Sequence, residues 1–285
     1  MPLQRDQLLA MVDKIPAFPQ SVHRVISLTA KADCAPKELV SVIEHDPVLT
    51  MKVLKLVNSA YFGLRREITS VNHAVVYVGI NTIKNLAITV ATAGALPKTN
   101  KAGLDVDALW RHSLSVGVVA RILAAKRGVI PNDLPNYFVA GLLHDIGKIL
   151  FAHFLPDKYA PVVKLAAQGK YSFSQIENKL FGLDHGEFGA ILAEYWKLPG
   201  DLVAAIRFHN SMHLDIESDT GQQLCCAISA SNAIAHYLFD EGNPETRIAQ
   251  EVTDWLGAPV SVATASMEGI EDEIEKALAF INIGS

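Results

Sequence analysis

The chain has 285 residues, half of them apolar, and its 30 acidic and 25 basic side chains give a formal charge of −5. That is enough apolar material for a substantial core, arranged as one large domain or two lobes, and it sets disorder aside. The acidic balance offers no electrostatic footprint for nucleic acid or an anionic membrane, so small-molecule or protein partners are expected.

Helical periodicity runs through almost the whole chain, and β-type alternation is confined to short ambiguous stretches such as Ala74 to Val78, so the expected fold class is all-α. The first residues carry Arg5, Asp6 and Asp13 where a secretory signal needs a continuous apolar core, and no apolar run reaches membrane-spanning length. A cytoplasmic protein is expected. Pro16 and Pro19 precede a helical pattern through Val22, Val25, Ile26 and Leu28, and Pro36 opens a second through Leu39, Val40 and Ile43. Asp46 and Pro47 read as N-cap and first helical residue: an oxygen for an orphan backbone N–H, then a residue that needs no partner. The helix they start carries Leu49, Val53, Leu54 and Val57 and is expected to end at Gly63. Helical stretches at Ala74 to Tyr77 and Asn81 to Ala93 follow, with Gly79 as the stop between them, and Pro97 to Asp107 reads as a linker. It divides a lobe of residues 1–100 from one of residues 105–285, and the apolar surface of the first is expected to face the second.

Beyond the linker a helix is expected to begin near His112 and to carry Val116, Val119, Ala120 and Leu123, with a Pro/Asn/Asp loop at Pro131 to Pro135 after it. Phe138 to Phe154 is apolar on nearly every face and reads as one central buried helix. Further helices are expected at Pro161 to Gln168, Phe173 to Phe181, Gly186 to Trp196, Leu202 to Phe208 and Leu224 to Leu238. The last, Gly269 to Ile283, has Glu271, Asp272, Glu273 and Glu275 near its favourable N-terminal end. Cys34, Cys225 and Cys226 form no C-x-x-C pair, so reduced thiols are expected and not a thiolate zinc site.

His144 and Asp145 stand side by side in that most apolar stretch, where an unpaired carboxylate is costly. Lys148, three residues on, is one conceivable partner; a metal is the other, since imidazole with carboxylate suits iron, manganese, zinc or nickel.

The ordered set His112-Ser113, His144-Asp145-Ile146-Gly147-Lys148, Asp184-His185 before Gly186 and Gly189, and then His209 resembles the HD superfamily of metal-dependent phosphohydrolases. Phe18-Pro19, Asp46-Pro47-Val48-Leu49-Thr50, Leu56-Val57-Asn58-Ser59-Ala60-Tyr61-Phe62-Gly63 and Ala74 to Gly79 with Ile83 resemble the HDOD branch, bacterial signalling modules on that scaffold, over about Ile15 to Asn232. The resemblance implies an N-terminal helical lobe packed on an HD-like helical lobe. It also implies one metal at His112, His144 and Asp145, a second at Asp145, His185 and His209, and Lys148 as a contact for substrate phosphate. All five ligand positions should then converge on one pocket, with iron, nickel or manganese more plausible than tetrahedral zinc.

Two departures bear on activity. Where the HD pattern has a late aspartate this chain has Asn232, and where HD-GYP enzymes have a second adjacent histidine it has Asn210. Asparagine offers a carbonyl oxygen without charge, so both are weak ligand candidates and binding is favoured over catalysis. The expected function is a noncatalytic signal-transduction module acting through signalling proteins, with a degenerate metal site. The alternative is a metal-dependent phosphohydrolase acting on a nucleotide or cyclic dinucleotide. A DNA-binding regulator using Ala74 to Ala93 is disfavoured, because Lys84 is the only basic residue there. His45-Asp46 is a second HD dipeptide that reads as a helix cap, and His23, His73, His153, His213 and His236 read as ordinary surface or core histidines. Trp110, Trp196 and Trp255 read as packing residues.

Overall fold

The computed structural model describes residues 3–31, 34–211, 216, 218–239 and 249–278, and among them the structure is helical with no strand. The N-terminal half holds α1 (Arg5–Val12), α2 (Gln20–Thr29), α3 (Pro36–Glu44), α4 (Pro47–Val57), α5 (Val71–Val78) and α6 (Ile80–Ala95). The C-terminal half holds α7 (Val106–Lys126), α8 (Leu134–Leu143), α9 (Ile146–Phe154), α10 (Pro156–Ala166), α11 (Phe173–Phe181), α12 (His185–Tyr195), α13 (Gly200–Phe208) and α14 (Asp219–Phe239). Three short helices follow: α15 (Gln250–Leu256), α16 (Val260–Ala265) and α17 (Ile270–Ala277). No single helix among the described residues is long and apolar enough to cross a membrane.

Caps written in the sequence set several boundaries. Asp46 Oδ1 accepts from Leu49 N at 3.0 Å and its other oxygen holds Ser21, so this HD dipeptide is a helix start. Asp105 caps α7 in the same way, accepting from Ala108 N at 2.9 Å. The helix therefore begins a turn and a half before His112 and not near it, and His112 sits inside α7, already oriented. α4 ends at Val57 and not at Gly63, because the Asn58 side chain both accepts from Ile68 N and donates to Ile68 O, pinning the loop that follows. α10 starts at Pro156, where proline is suited to a first turn, and runs through Pro161. α1, α15 and α16 were not expected. The expected final helix is seen as α17; its expected continuation through residues 279–283 lies outside the described residues, as does His213.

The largest revision concerns Phe138 to Phe154. This stretch is two helices, α8 and α9, with the turn between them at His144 and Asp145. Both are buried on nearly every face, so the apolar pattern runs on through the break. α8 lies at the centre of the molecule, against α7, α14, α13 and α6, while α9 packs on α12 and α10. Glycines allow these crossings: a Cβ on Gly141 would stand 2.5 Å from the Gly117 backbone, and one on Gly147 would stand 1.9 Å from the His185 carbonyl oxygen.

The two halves meet through specific side chains as well as apolar surface. Phe18 stacks on fully buried Trp196 at 4.4 Å between centroids, and the Trp196 indole N–H donates to Pro16 O at 3.1 Å. Tyr61 packs on Phe138, and Asn85 Nδ2 donates to Asn136 Oδ1 at 2.9 Å, joining α6 to α8.

Candidate metal centre

Four elements build the site around the Asp145 carboxylate. α7 carries His112, the α8–α9 turn presents His144 and Asp145 itself, α12 begins with His185, and His209 caps the C-terminus of α13. The two carboxylate oxygens divide the imidazoles between them. Oδ2 lies 3.8 Å from His112 Nε2 and 3.3 Å from His144 Nε2; Oδ1 lies 3.1 Å from His185 Nε2 and 3.5 Å from His209 Nε2. His112, His144 and Asp145 form one compact triad of possible ligand atoms, and Asp145, His185 and His209 a second, each with its atoms within 4.8 Å of one another.

Second partners orient the rings. His144 Nδ1 faces Gly141 O at 2.6 Å, His209 Nδ1 faces Ile206 O at 2.8 Å, and His185 Nδ1 faces Glu177 Oε2 at 2.6 Å. Each acceptor fixes a proton on Nδ1 and turns Nε2 toward Asp145, so that the ring, when neutral, offers its lone pair there. Glu177 is fully buried and also accepts from the Tyr159 hydroxyl and the His185 backbone N–H, so it is a preset brace for that ring. Sequence reasoning missed it: Glu177 sits in an ordinary amphipathic pattern, and only tertiary packing buries it.

The result is a crowd of electron pairs around one buried carboxylate. His144 Nε2 and Asp145 Oδ1 are buried and lack hydrogen-bond partners, although such orphans are rare in folded proteins. Imidazole lone pairs facing a carboxylate, with two orphaned atoms among them, fit a divalent cation held by nitrogen and oxygen. The cationic groups present are Lys148, whose Nζ donates to Asp145 Oδ2 at 2.6 Å, and a proton on His185. Burial alone would lower the His185 pKa, but Glu177 beside it raises it to about 9. His209 is driven the other way, to about 4, chiefly by burial, which keeps its ring neutral. Burial also works against the charge of Asp145, yet His144 and Lys148 hold its carboxyl well below the usual range.

The remaining candidates fall at the rim. Asn232 Oδ1 lies 2.9 Å from His112 Nε2, and Asn210 Nδ2 lies 3.1 Å from both Asp184 Oδ2 and His185 Nε2. Lys148 is buried, packs over the Phe173 ring and is paired with Asp145. His236, read from sequence as an ordinary histidine, instead packs against His112 with ring centroids 4.6 Å apart. The available signal was its spacing of four from Asn232, which puts both on one face of α14.

The HDOD domain family matches residues 15–212. An uncharacterized protein of Treponema pallidum (strain Nichols) is 28% identical over 201 residues, 70% of this chain but 38% of that relative, so the chain spans well under half of its length. Two similar solved structures are each 26% identical. One is a proposed phosphohydrolase from Shewanella amazonensis SB2B, covering 98% of both chains with a TM-score of 0.71. The other is an HDOD domain protein of unknown function from Geobacter sulfurreducens, covering 97% of this chain and 98% of that one with a TM-score of 0.73. A proposed signal transduction protein from Marinobacter aquaeolei VT8 shares the fold at 23% identity, with 98% of this chain and 65% of that one covered and a TM-score of 0.75.

Proposed function

Starting from the fact that the chain belongs to the HDOD domain family, we propose that it is a noncatalytic signal-transduction module that holds a divalent metal inside its HD-like half and acts through protein partners. The observation that carries this reading is how little of the cluster is open: His144, Asp145, His185 and His209 are at most 2% exposed, Lys148 is 7% exposed, and the His112 side chain, 19% exposed, stands at the rim. A phosphate ester would have to reach Lys148, and that ammonium is already bonded to Asp145. Asn232 adds to the case, since it brings no charge to the rim where the HD pattern has a carboxylate. His112, His144 and Asp145 would hold one ion, and Asp145, His185 and His209 the other, with iron, nickel or manganese suited to these donors. When bound, the metal supplies Lewis acidity and positive charge that satisfies the facing lone pairs. Asp145 would offer an oxygen to each triad, Glu177 fixes the tautomer of His185, and Lys148 balances the carboxylate. This reading places the module in the cytoplasm of a bacterium.

A second reading, a phosphohydrolase acting on a nucleotide or cyclic dinucleotide, is favoured by one observation: each Asp145 oxygen faces its own pair of imidazoles, the disposition of a carboxylate shared between two ions. The likeness to the Shewanella amazonensis protein points the same way. Elemental analysis of protein purified without chelator, paired with a phosphodiesterase assay supplemented with manganese or iron, separates the two. Bound metal without turnover is expected. Robust metal-dependent turnover would establish the second reading, and metal-free protein that takes up no added metal would defeat the metal-holding role.

A further inference from the structure

The two triads share one carboxylate but divide it unequally. Asp145 Oδ2, which faces His112 and His144, accepts from the Lys148 ammonium at 2.6 Å. Asp145 Oδ1, which faces His185 and His209, is buried and has no hydrogen-bond partner among the described residues. One oxygen is therefore already matched by a fixed cation, and the other still lacks one.

The surrounding charge has the same asymmetry. Behind the second triad stands Glu177, fully buried, with Oε2 2.6 Å from His185 Nδ1. Asp184 adds a carboxylate on this side, joined to the cluster through Asn210, whose Nδ2 lies 3.1 Å from both Asp184 Oδ2 and His185 Nε2. The first triad has the opposite setting. Lys148 sets a positive charge against it, and the side chain bonded to His112 is Asn232, an uncharged amide. His144 Nε2 has no partner, so this triad keeps a nitrogen ready for an ion but offers that ion a poorer field. At an effective dielectric of about 20, a unit charge about 5 Å away changes an ion's affinity by about a hundredfold, and here its sign differs between the triads.

We infer that the triads fill in order: Asp145, His185 and His209 hold a resident divalent ion tightly, while His112, His144 and Asp145 form an exchangeable position guarded by Lys148. An ion arriving at the exchangeable position must displace the ammonium from Oδ2, leaving Lys148 with the Phe173 ring, whose centroid is 4.8 Å from Nζ. Occupancy there follows the supply of metal, and Lys148 sets the threshold. This inference rests on the metal-holding reading above and adds to it the inequality and order of the two positions.

The test titrates manganese(II) into the metal-free full chain, with affinity read by competition with a chelating dye and the bound ions by electron paramagnetic resonance. Two steps are expected, the first about a hundredfold tighter or more. The first equivalent should give the signal of isolated ions, and the second that of a spin-coupled pair. Lys148→Met should narrow the gap between the steps by about tenfold or more. His112→Ala, at the rim, should remove the weak step and spare the tight one, and it carries the test if Lys148→Met does not fold. A single step, two steps of equal affinity, an unchanged gap in Lys148→Met or loss of the tight step in His112→Ala would overturn the inference and leave the metal-holding reading intact. Protein that takes up no manganese, nor iron(II) or nickel(II) offered in its place, would defeat that reading and the inference with it.

Discussion

Replacing Gly147 by alanine should break the contact between α9 and α12 and, with it, the second triad. A Cβ at this position would lie 1.9 Å from His185 O, 2.7 Å from His185 C and 2.9 Å from Gly189 N. Every obstacle is main chain, so no rotamer change relieves it. The start of α12 would have to retreat by about 1.5 Å to restore ordinary van der Waals contact, against a core already packed at crystal-like density. Overpacking against movable side chains costs about 1–3 kcal/mol; against a fixed backbone the upper end, about 3 kcal/mol, is expected, lowering Tm by roughly 6–12 °C. His185 leads α12 and approaches Asp145 at 3.1 Å, so the retreat also pulls its Nε2 out of the triad and metal uptake should fall. Gly94 is the control: it is an exposed glycine inside α6 with nothing within 4 Å of an added Cβ, and Gly94→Ala should stabilise by about 0.5–1 kcal/mol. Urea unfolding of both variants, with metal content measured on each, decides the matter. If Gly147→Ala unfolds at the parent midpoint with unchanged metal content, the backbone contact is not what sets this geometry.

Asn232→Asp puts a charge 2.9 Å from His112 and should tighten metal binding by about tenfold or more, read from competition with a chelator; unchanged affinity would place Asn232 outside the coordination sphere. His185, whose pKa burial lowers but Glu177 lifts to about 9, carries a proton at neutral pH in metal-free protein. Because that folded-state value is raised, its stabilising contribution is full below about pH 6.5 and is lost as pH rises through about 9. Metal entering the second triad must expel the proton, so calorimetry near neutral pH in buffers of different ionisation enthalpy should report close to one proton released; none released would contradict the assignment. Residues 1–100 and 105–285 expressed separately should aggregate or lose cooperative melting, since Phe18 and Trp196, Tyr61 and Phe138, and Asn85 and Asn136 would each lose a partner. Two stable fragments that reproduce separate transitions of the full chain would refute that coupling.

Local chemistry was the readable part of this chain. Asp46 with Pro47 and Gly79 between α5 and α6 act on their immediate neighbours, so the sequence displays them directly. The ordered histidines could be picked out because the family resemblance supplies the pairing that distance along the chain conceals. The break at His144–Asp145 was hidden for a physical reason: helices buried on all sides show no change of phase where one stops and the next begins. Glu177 and His236 were hidden differently. Each occupies a position that an exposed polar residue could fill equally well, and its role comes from residues distant in sequence: His185 for Glu177 and His112 for His236.

The turn at His144 and Asp145 makes the cluster a fulcrum. α8 extends ten residues to one side of it, about 15 Å at 1.5 Å per residue, and α9 extends nine to the other. A rotation of about 10° at the turn would sweep the far end of α8 through roughly 2.6 Å over that length. That far end is Asp133 and Leu134, beside Asn136, which is bonded to Asn85 and Lys84 of the N-terminal half. Any change in how the imidazoles surround one carboxylate would be carried along this arm toward the place where the two halves grip each other.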